Sequence, residues 1–526
     1  MKILHQTKIS LFQLIIIFIV VIAIAVISFI AFGKTTKAPT NSSLQEKNPD
    51  FIVSETLKTD TSSLSQLVFS IDTLSHSPAL HHGSFGFSLV SLDSNKTIIE
   101  YNSHKSLVPA SVIKILATGI LLSRSGPQYQ YETRLQYSGE IDKTSRILNG
   151  NIYIKGSGDP SLGSDIFEGT NVKTVLSNWS AAIKNLGIDS INGSIIGDGE
   201  YFEPGSIPGG WAWEDMQSSY GIGTCGLAFR ENTYDLNVVC KGKSLQASTF
   251  PPQPGLILHN QLLYNPQVPK NYLFVSGAPY QNERIIMGEI KSNYSERSNI
   301  PDPALCCAYN LFLNLKLNGI GIKDSCATVR KLKLSGRFNK EERKTFYTSY
   351  SPMLSKLVNY TNKTSQNFYA ETFLKTLGAH KNGYGSTTGG IAEIVRYLKE
   401  KEVNLRGLYM VDGSGISRYN ALTPKFLTDL LVVYSKDTVM FQSFFKSLSV
   451  AGESGTMYKM AEETIAAGNI HAKSGSMTRV HSYAGYVTTR SGKLLAFSMI
   501  INNQEWDYKL TQKQLEKLMI LMANLN

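Results

Sequence analysis

Ser111 and Lys114 are the residues of this chain whose types and spacing best suit covalent chemistry. They lie in the segment VPASVIKILAT, residues 108–118, where Pro109 disfavours a helix at the residue before it and apolar residues follow Ser111. The pattern predicts a loop that enters a buried helix at Ser111. Residues three apart share one helix face, and a helix N-terminus has free backbone N–H groups. One turn could therefore supply a nucleophile, a base and an oxyanion donor.

Two further short motifs follow along the chain and could complete such a site. Ser365 and Asn367 form a Ser-x-Asn motif, which we expect at the start of a helix that runs to Gly378 with Ser365 as its N-cap. Residues 473–476 read Lys-Ser-Gly-Ser and stand just before a predicted strand.

Each of these motifs is short enough to occur by chance. A second Ser-x-x-Lys stands at residues 443–446 inside a predicted helix, and a second Ser-x-Asn stands at residues 190–192. Three motifs in order, each in a fitting structural context, are a more specific signal than any one of them.

The ordered set resembles the penicillin-recognising serine enzymes. In particular it is similar to the class C low-molecular-mass penicillin-binding proteins, the D-alanyl-D-alanine carboxypeptidase/endopeptidase family. The matching segments are residues 109–114 (PASVIK), 156–160 (GSGDP), 412–418 (DGSGISR) and 473–476 (KSGS). That branch inserts extra domains between the first and second motifs, which fits the long separation of Ser111 and Ser365. Two departures are small: Ser474 replaces the usual threonine but keeps its hydroxyl, and Gln366 stands at the variable position of its motif.

The resemblance implies a role for each motif residue in peptidoglycan hydrolysis, without a metal or cofactor. It implies Ser111 as nucleophile, Lys114 as base, Ser365 and Asn367 in proton relay and peptide binding, Lys473, Ser474 and Gly475 at the terminal carboxylate, and the backbone N–H groups of Ser111 and Ser476 as the oxyanion hole.

Arg418 and Asp159 are candidate substrate-binding residues outside the motifs. A guanidinium and a carboxylate could grip the carboxylate and amine of a diamino acid in a wall stem peptide. The alternative is structural, with Arg418 on a surface loop and Asp159 closing a turn beside Pro160.

The helix-like and strand-like segments along the chain predict an α+β fold. The resemblance implies a serine DD-peptidase/β-lactamase-like domain, an antiparallel sheet flanked by helices, with a large β-rich insertion between the first and second motifs. We predict a β-hairpin over 85–101, strands over 482–487 and 494–501, and a C-terminal helix over 508–523. The expected domains are residues 1–33 as cytoplasmic tip and transmembrane signal-anchor, 34–60 as linker, 61–125 with 341–526 as the penicillin-binding domain, and 126–340 as the inserted domain or domains.

The N-terminal segment predicts export. Residues 11–32 are almost uninterrupted apolar residues, long enough to span a membrane, and Lys2 and Lys8 precede them. The residues at its end form a poor cleavage site, so an uncleaved anchor is favoured over a removed signal. We therefore expect the enzyme at the extracytoplasmic (periplasmic) face of the cell envelope, anchored in the cytoplasmic membrane.

Composition limits the classes of binding partner that we expect. The net charge of +11 is spread along the chain without a basic block, which argues against nucleic acid. The five cysteines all lie between Cys225 and Cys326, lack zinc-ligand spacing, and could form disulfides in an oxidising compartment. The expected partners are peptidoglycan stem peptides, β-lactams as inhibitors, and a membrane.

Two rival functions stay open at this level. A serine β-lactamase shares the three motifs but seldom carries so long an insertion, and it would release a penicillin adduct quickly. A catalytically silent cell-wall-binding protein would keep the fold and lose motif residues, all of which are intact here.

Overall fold

A computed structural model describes residues 51–53, 61–505 and 508–526. The predicted transmembrane segment and most of the predicted linker lie outside these residues. No helix within the described ranges is long and apolar enough to cross a membrane.

The described chain contains both helices and strands, largely in separate runs, so the fold is mixed α+β. The helices are α1 Thr61–Ser75, α2 Lys114–Ser125, α3 Val172–Lys184, α4 Trp213–Met216, α5 Pro303–Leu317, α6 Val329–Leu334, α7 Leu354–Thr364, α8 Asn367–Asn382, α9 Thr387–Glu400, α10 Pro424–Ser435, α11 Phe441–Ser447 and α12 Tyr508–Ala523. The strands are β1 Phe51–Val53, β2 Ser84–Ser91, β3 Thr97–Tyr101, β4 Glu132–Tyr137, β5 Glu140–Asp142, β6 Ile147–Asn149, β7 Ile152–Lys155, β8 Ser190–Ile191, β9 Ile195–Asp198, β10 Thr233–Lys241, β11 Ser244–Phe250, β12 Ile257–Tyr264, β13 Tyr272–Ser276, β14 Glu283–Ile290, β15 Tyr294–Asn299, β16 Gly321–Ile322, β17 Ala327–Thr328, β18 Lys344–Tyr350, β19 Ser449–Val450, β20 Ile470–Met477, β21 Val480–Thr488 and β22 Leu494–Asn502.

A seven-stranded antiparallel sheet, in the order β1-β3-β2-β22-β21-β20-β19, is the frame of the first region. Side chains alternate across a strand, so each strand serves two cores. In β21, Ala484 and Tyr486 face a core with α2 and α7 to α11, whereas Tyr483 and Val487 face a core with α1 and α12. The sheet is therefore covered by helices on both faces.

The second region consists of four smaller sheets between α2 and α7. Their strand orders are β17-β9-β7-β4-β18, β16-β8-β6-β5, β11-β10-β15 and β12-β14-β13. A separate hydrophobic core joins them to α3 and α5. We call residues 126–340 the inserted region, keeping the boundaries predicted from sequence.

Several local predictions are confirmed. The first hairpin pairs β2 with β3, the later strands pair as β21 with β22, and α12 buries Leu515, Leu518 and Met522. Thr423 caps α10 by accepting a hydrogen bond from Phe426 N, with Pro424 at the first helical position.

One local prediction is wrong. Ser365 is not an N-cap: its φ of 58° is left-handed and it ends α7, while α8 begins at Asn367 and continues past Gly378 to Asn382. The inserted region, expected to be rich in strands, also contains helices; in α3 the buried residues Val175, Trp179 and Ile183 recur every fourth position.

The five cysteines, all within the described residues, carry free thiols. Burial raises the pKa of Cys225 and Cys306 to about 12, so neither thiol is primed for nucleophilic chemistry.

Candidate active site

The first motif forms a tight turn at the start of a buried helix. Residues Ala110–Ile113 make a 3-10 turn and α2 proper begins at Lys114, one turn later than an α-helix opening at Ser111 would place it. Ala110 has a φ of 48°, a left-handed conformation that a residue with a side chain rarely adopts. Such strain is typical of residues held for function, and here it immediately precedes Ser111.

Lys114 is a completely buried amine with three acceptors. Its Nζ donates to Ser111 Oγ at 2.7 Å, to Asn367 Oδ1 at 2.7 Å and to the carbonyl of Ser414 at 2.5 Å. Burial lowers the pKa of Lys114 to about 7, although the carboxylates of Asp412 and Glu371 oppose that shift. A neutral amine in contact with a serine hydroxyl is then well populated near neutral pH, as a general base requires.

The second and third motifs meet beside the first. The αL residue Ser365 turns the chain from α7 into α8, and its Oγ accepts a hydrogen bond from Lys473 Nζ at 2.9 Å. Lys473 is also completely buried, and burial together with the charge of Lys114 holds its pKa well below the ordinary value. The structure thus brings together Ser111, Lys114, Ser365, Asn367 and Lys473.

Strand β20 runs against the nucleophile turn. A methyl group added at Gly475 would lie 2.9 Å from Ser111 N and 2.7 Å from Pro109 O, so only glycine permits this approach. Ser482 on the adjacent strand β21 fixes the turn further, because its Oγ donates to Pro109 O at 2.5 Å. The backbone of Ser111 and the strand that carries Ser476 are therefore side by side, as the predicted oxyanion hole requires.

A loop over residues 412–415 closes the site on the side of Lys114. Asp412 is buried and accepts from Gly415 N at 2.8 Å and Ser417 N at 2.7 Å. Gly415 has a φ of 83°, and a methyl group there would lie 2.1 Å from Ala110 O. The loop therefore packs directly on the residue before the nucleophile.

Sequence reasoning missed two contacts from the inserted region. Trp211 Nε1 donates to Asp412 Oδ2 at 2.8 Å, and Asn367 Nδ2 donates to the carbonyl of Tyr220 at 2.9 Å. From the sequence, the tryptophans at 211 and 213 indicate only a packing corner. No local pattern predicts a hydrogen-bond partner two hundred residues away.

A third missed contact concerns the residue expected at the terminal carboxylate. Ser474 Oγ lies 2.6 Å from Thr456 Oγ1, and Thr456 Oγ1 lies 3.1 Å from Ser449 Oγ. Thr456 therefore adds a hydroxyl beside the Lys-Ser-Gly motif.

The structure does not bring Asp159 to this cluster. Asp159 is buried and accepts hydrogen bonds from the N–H and hydroxyl of Ser161, and burial raises its pKa to about 6. Arg418 is exposed near the end of β20, where its Nη1 donates to Thr478 O at 3.4 Å. The second Ser-x-x-Lys, Ser443 to Lys446, lies within α11.

The assembled groups are those of a serine acyl-transfer site in which a lysine acts as the base. A half-buried hydroxyl contacts a buried amine, a second serine–lysine pair stands beside it, and a strand edge lies against the nucleophile backbone. No group of three or more histidine, cysteine or acidic residues in the described chain could hold a metal ion.

Comparison with known proteins assigns the chain to a family within this class. The D-Ala-D-Ala carboxypeptidase 3 (S13) family matches residues 67–523, and this protein belongs to that family. It is thus a serine-type D-Ala-D-Ala carboxypeptidase, and the resemblance to the D-alanyl-D-alanine carboxypeptidase family drawn from its motifs is confirmed.

Individual relatives have names that are consistent with this family. A penicillin-sensitive carboxypeptidase A of Dictyostelium discoideum is 28% identical over 77% of this chain and 80% of the relative. A D-alanyl-D-alanine carboxypeptidase of an Actinomadura species is 23% identical over 84% of this chain and 81% of the relative. The crystal structure of penicillin binding protein 4 (dacB) of Haemophilus influenzae, 20% identical, superposes with a TM-score of 0.74 over 88% of this chain and 99% of that protein. The last likeness supports the fold.

Proposed function

We propose that this carboxypeptidase works through an acyl-enzyme on Ser111 and acts on peptidoglycan stem peptides that end in D-alanyl-D-alanine. The single observation that supports it most is the contact of Ser111 Oγ with the buried amine of Lys114, itself held by Asn367. An amine whose pKa is about 7 can take the hydroxyl proton in the transition state at neutral pH.

In the acylation step, Ser111 Oγ attacks the carbonyl of the penultimate D-alanine as its proton passes to Lys114 Nζ. Negative charge then develops on the carbonyl oxygen, where the backbone N–H groups of Ser111 and Ser476 stabilise it. Asn367 holds the peptide. Ser365 donates its hydroxyl proton to the departing D-alanine nitrogen and takes a replacement from protonated Lys473 Nζ, which becomes neutral while Lys114 Nζ keeps the proton of Ser111. In deacylation, water attacks the ester carbonyl as one of its protons passes through Ser365 to Lys473, and Lys114 Nζ returns its proton to Ser111 Oγ as the acyl group leaves.

The terminal carboxylate of the substrate lies at residues 473–475 in this proposal. Ser474 and its neighbour Thr456 present two hydroxyls there, and the Lys473 amine adds favourable electrostatics when protonated. A penicillin presents a carboxylate and a strained amide in the same relation, so it acylates Ser111 and inhibits the enzyme. The name of the Dictyostelium relative and a β-lactam complex of the Haemophilus protein support this.

Arg418 and Asp159 stay candidates for recognition of the stem-peptide side chain. The exposed guanidinium of Arg418 is free to reach a substrate carboxylate, whereas Asp159 would first have to leave its contacts with Ser161. We further propose that the enzyme acts at the extracytoplasmic face of the envelope, anchored by residues 11–32, as a carboxypeptidase and/or endopeptidase. Membrane fractionation of the full chain, with the N-terminus of the mature protein determined, tests the anchor.

Labelled penicillin tests the acyl-enzyme. We expect the label on the peptide that contains Ser111, loss of labelling in Ser111→Ala, and unchanged labelling in the matched control Ser443→Ala. Product analysis on monomeric and cross-linked muropeptides then separates the two peptidase activities. Rapid release of the label with turnover of penicillin would instead identify a β-lactamase, and absence of any label would identify a silent binding protein.

A further inference from the structure

Glu371 is a buried acidic residue that neither the motifs nor the proposed mechanism uses. It lies one turn after Asn367 on α8 and is completely inaccessible to solvent. Its Oε1 accepts from Gly413 N at 2.9 Å and Ser414 N at 2.7 Å. A buried carboxylate is costly to desolvate, and hydrogen bonds to two successive backbone N–H groups offset part of that cost.

These two hydrogen bonds connect Glu371 to the proposed base. Ser414, whose N–H donates to Glu371, is also the residue whose carbonyl accepts from Lys114 Nζ at 2.5 Å. Asn367, on the same helix, provides a second acceptor for Lys114, and the Ser111 hydroxyl is the third. One face of α8 thus positions two of the three acceptors, directly through Asn367 and indirectly through Glu371.

The charge of Glu371 also acts on Lys114. The titratable groups around Glu371 are Asp412 on the loop, Lys114 on α2 and Lys375 one turn further along α8, with Lys375 paired to Glu203 at 3.2 Å. Burial, then Asp412, raises the pKa of Glu371 to about 7, and the Glu371 charge in turn raises the pKa of Lys114.

We infer that Glu371 is a positioning residue for Lys114: it fixes the Ser414 carbonyl that holds the amine, and its charge governs how readily that amine accepts the proton of Ser111. The inference rests on the proposed function, because it needs Ser111 and Lys114 to perform acylation. Two substitutions separate the effect of the Glu371 hydrogen bonds from the effect of its charge. Glutamine keeps an acceptor oxygen and removes the charge, whereas alanine removes both.

The experiment is the second-order rate constant for acylation by a penicillin, measured across about pH 5 to about pH 9 for Glu371→Gln and Glu371→Ala. Removing a negative charge disfavours the protonated amine, so in Glu371→Gln the acidic limb should move to lower pH, with a plateau within about threefold of wild type. The shift should be less than about one unit, because a carboxyl with a pKa of about 7 carries its charge over only the upper part of that limb. In Glu371→Ala the plateau should fall about 100-fold, because the loop no longer holds the amine in place.

Glu393 supplies a matched control. It is a buried glutamate on α9 that pairs with Arg124 at 2.9 Å and Arg396 at 2.6 Å, and it contacts no motif residue. Glu393→Gln should lower the melting temperature and leave the pH profile in place. Thermal unfolding of all variants shows whether each is folded.

The outcomes separate this inference from the proposed function. If wild-type protein is not labelled at Ser111, the proposed function fails. If wild type is labelled but Glu371→Gln shows an unshifted acidic limb, or loses its plateau as fully as Glu371→Ala, the inference is overturned. An equal shift in Glu393→Gln overturns it as well, since the effect would then not be specific to the site.

Discussion

The two regions of this molecule contain buried charged side chains that differ in whether they have a partner of opposite charge. In the inserted region, Asp302 pairs with Arg330 at 2.9 Å, and Asp198 pairs at 2.6 Å with Arg343, which lies just after the region ends. Around the seven-stranded sheet, Lys114 and Lys473 are both fully buried, and among the described residues no carboxylate lies within salt-bridge distance of either amine.

Buried charges with and without a partner of opposite charge have different consequences. A buried charge with a partner of opposite charge is compensated by that partner, and the pair connects the elements that carry it. An amine buried among neutral acceptors is pushed towards its neutral form, which costs stability and creates a base. We therefore expect the reaction to occur in the region in which two buried lysines lack a carboxylate partner, and four substitutions test this contrast.

The largest effect is expected at Lys114. Lys114→Arg keeps a cation but removes the ability to accept a proton, since a guanidinium does not deprotonate in proteins. Acylation by penicillin should fall by about 10²- to 10⁴-fold. In the wild type the rate should rise with pH through about 7, because the amine with a pKa of about 7 is protonated and inactive below that value and neutral above it. A rate that is flat across this range would contradict the assignment, and Lys446→Arg is the control.

The next effect links the two regions. Trp211→Phe removes the indole N–H that the inserted region donates to Asp412, so the loop beside Lys114 loses one of its supports. Acylation should fall about tenfold and the free energy of unfolding by about 1–3 kcal/mol. Trp213→Phe is the matched control, since Trp213 is 52% exposed. Equal rates in both variants would show that the catalytic region is independent of the insertion.

A smaller effect, confined to substrate choice, is expected at Arg418. Arg418→Ala should lower kcat/KM about tenfold on a diaminopimelate-containing peptide, since an exposed charge contributes less than a buried pair. The penicillin acylation rate should stay unchanged. Arg406→Ala, at another exposed arginine on a loop, should alter neither. Parallel losses on peptide and penicillin would mean that Arg418 supports the fold or the chemistry.

The smallest effect on activity is expected within the inserted region. Arg330→Met leaves the buried carboxylate of Asp302 without its partner, so the free energy of unfolding should fall by about 1–3 kcal/mol. The acylation rate of the folded protein should stay within about twofold of wild type. Denaturant unfolding and penicillin labelling measure the two quantities separately, and a large kinetic loss would remove the contrast between the regions.

The sequence by itself determined the parts of this protein that depend on neighbours along the chain. Ser111 and Lys114 meet because residues three apart share a helix face, and the β2–β3 and β21–β22 hairpins follow from alternating apolar residues around turn residues. The order of the three motifs was enough to predict the family. The N-cap rule failed at Ser365, because this serine ends helix α7 in a left-handed conformation and does not cap α8.

Only the tertiary structure decided which distant groups surround the reactive amine. Glu371 and Trp211 belong to none of the matching segments, and Asp412 belongs to one without any indication of its partners. These residues matter because α8, a loop and the inserted region converge on Lys114. The lowered pKa of Lys114 arises from the same convergence, since burial is a property of the packed chain and not of any segment. Composition and spacing record which groups are present, whereas desolvation and charge at a point depend on everything packed around it.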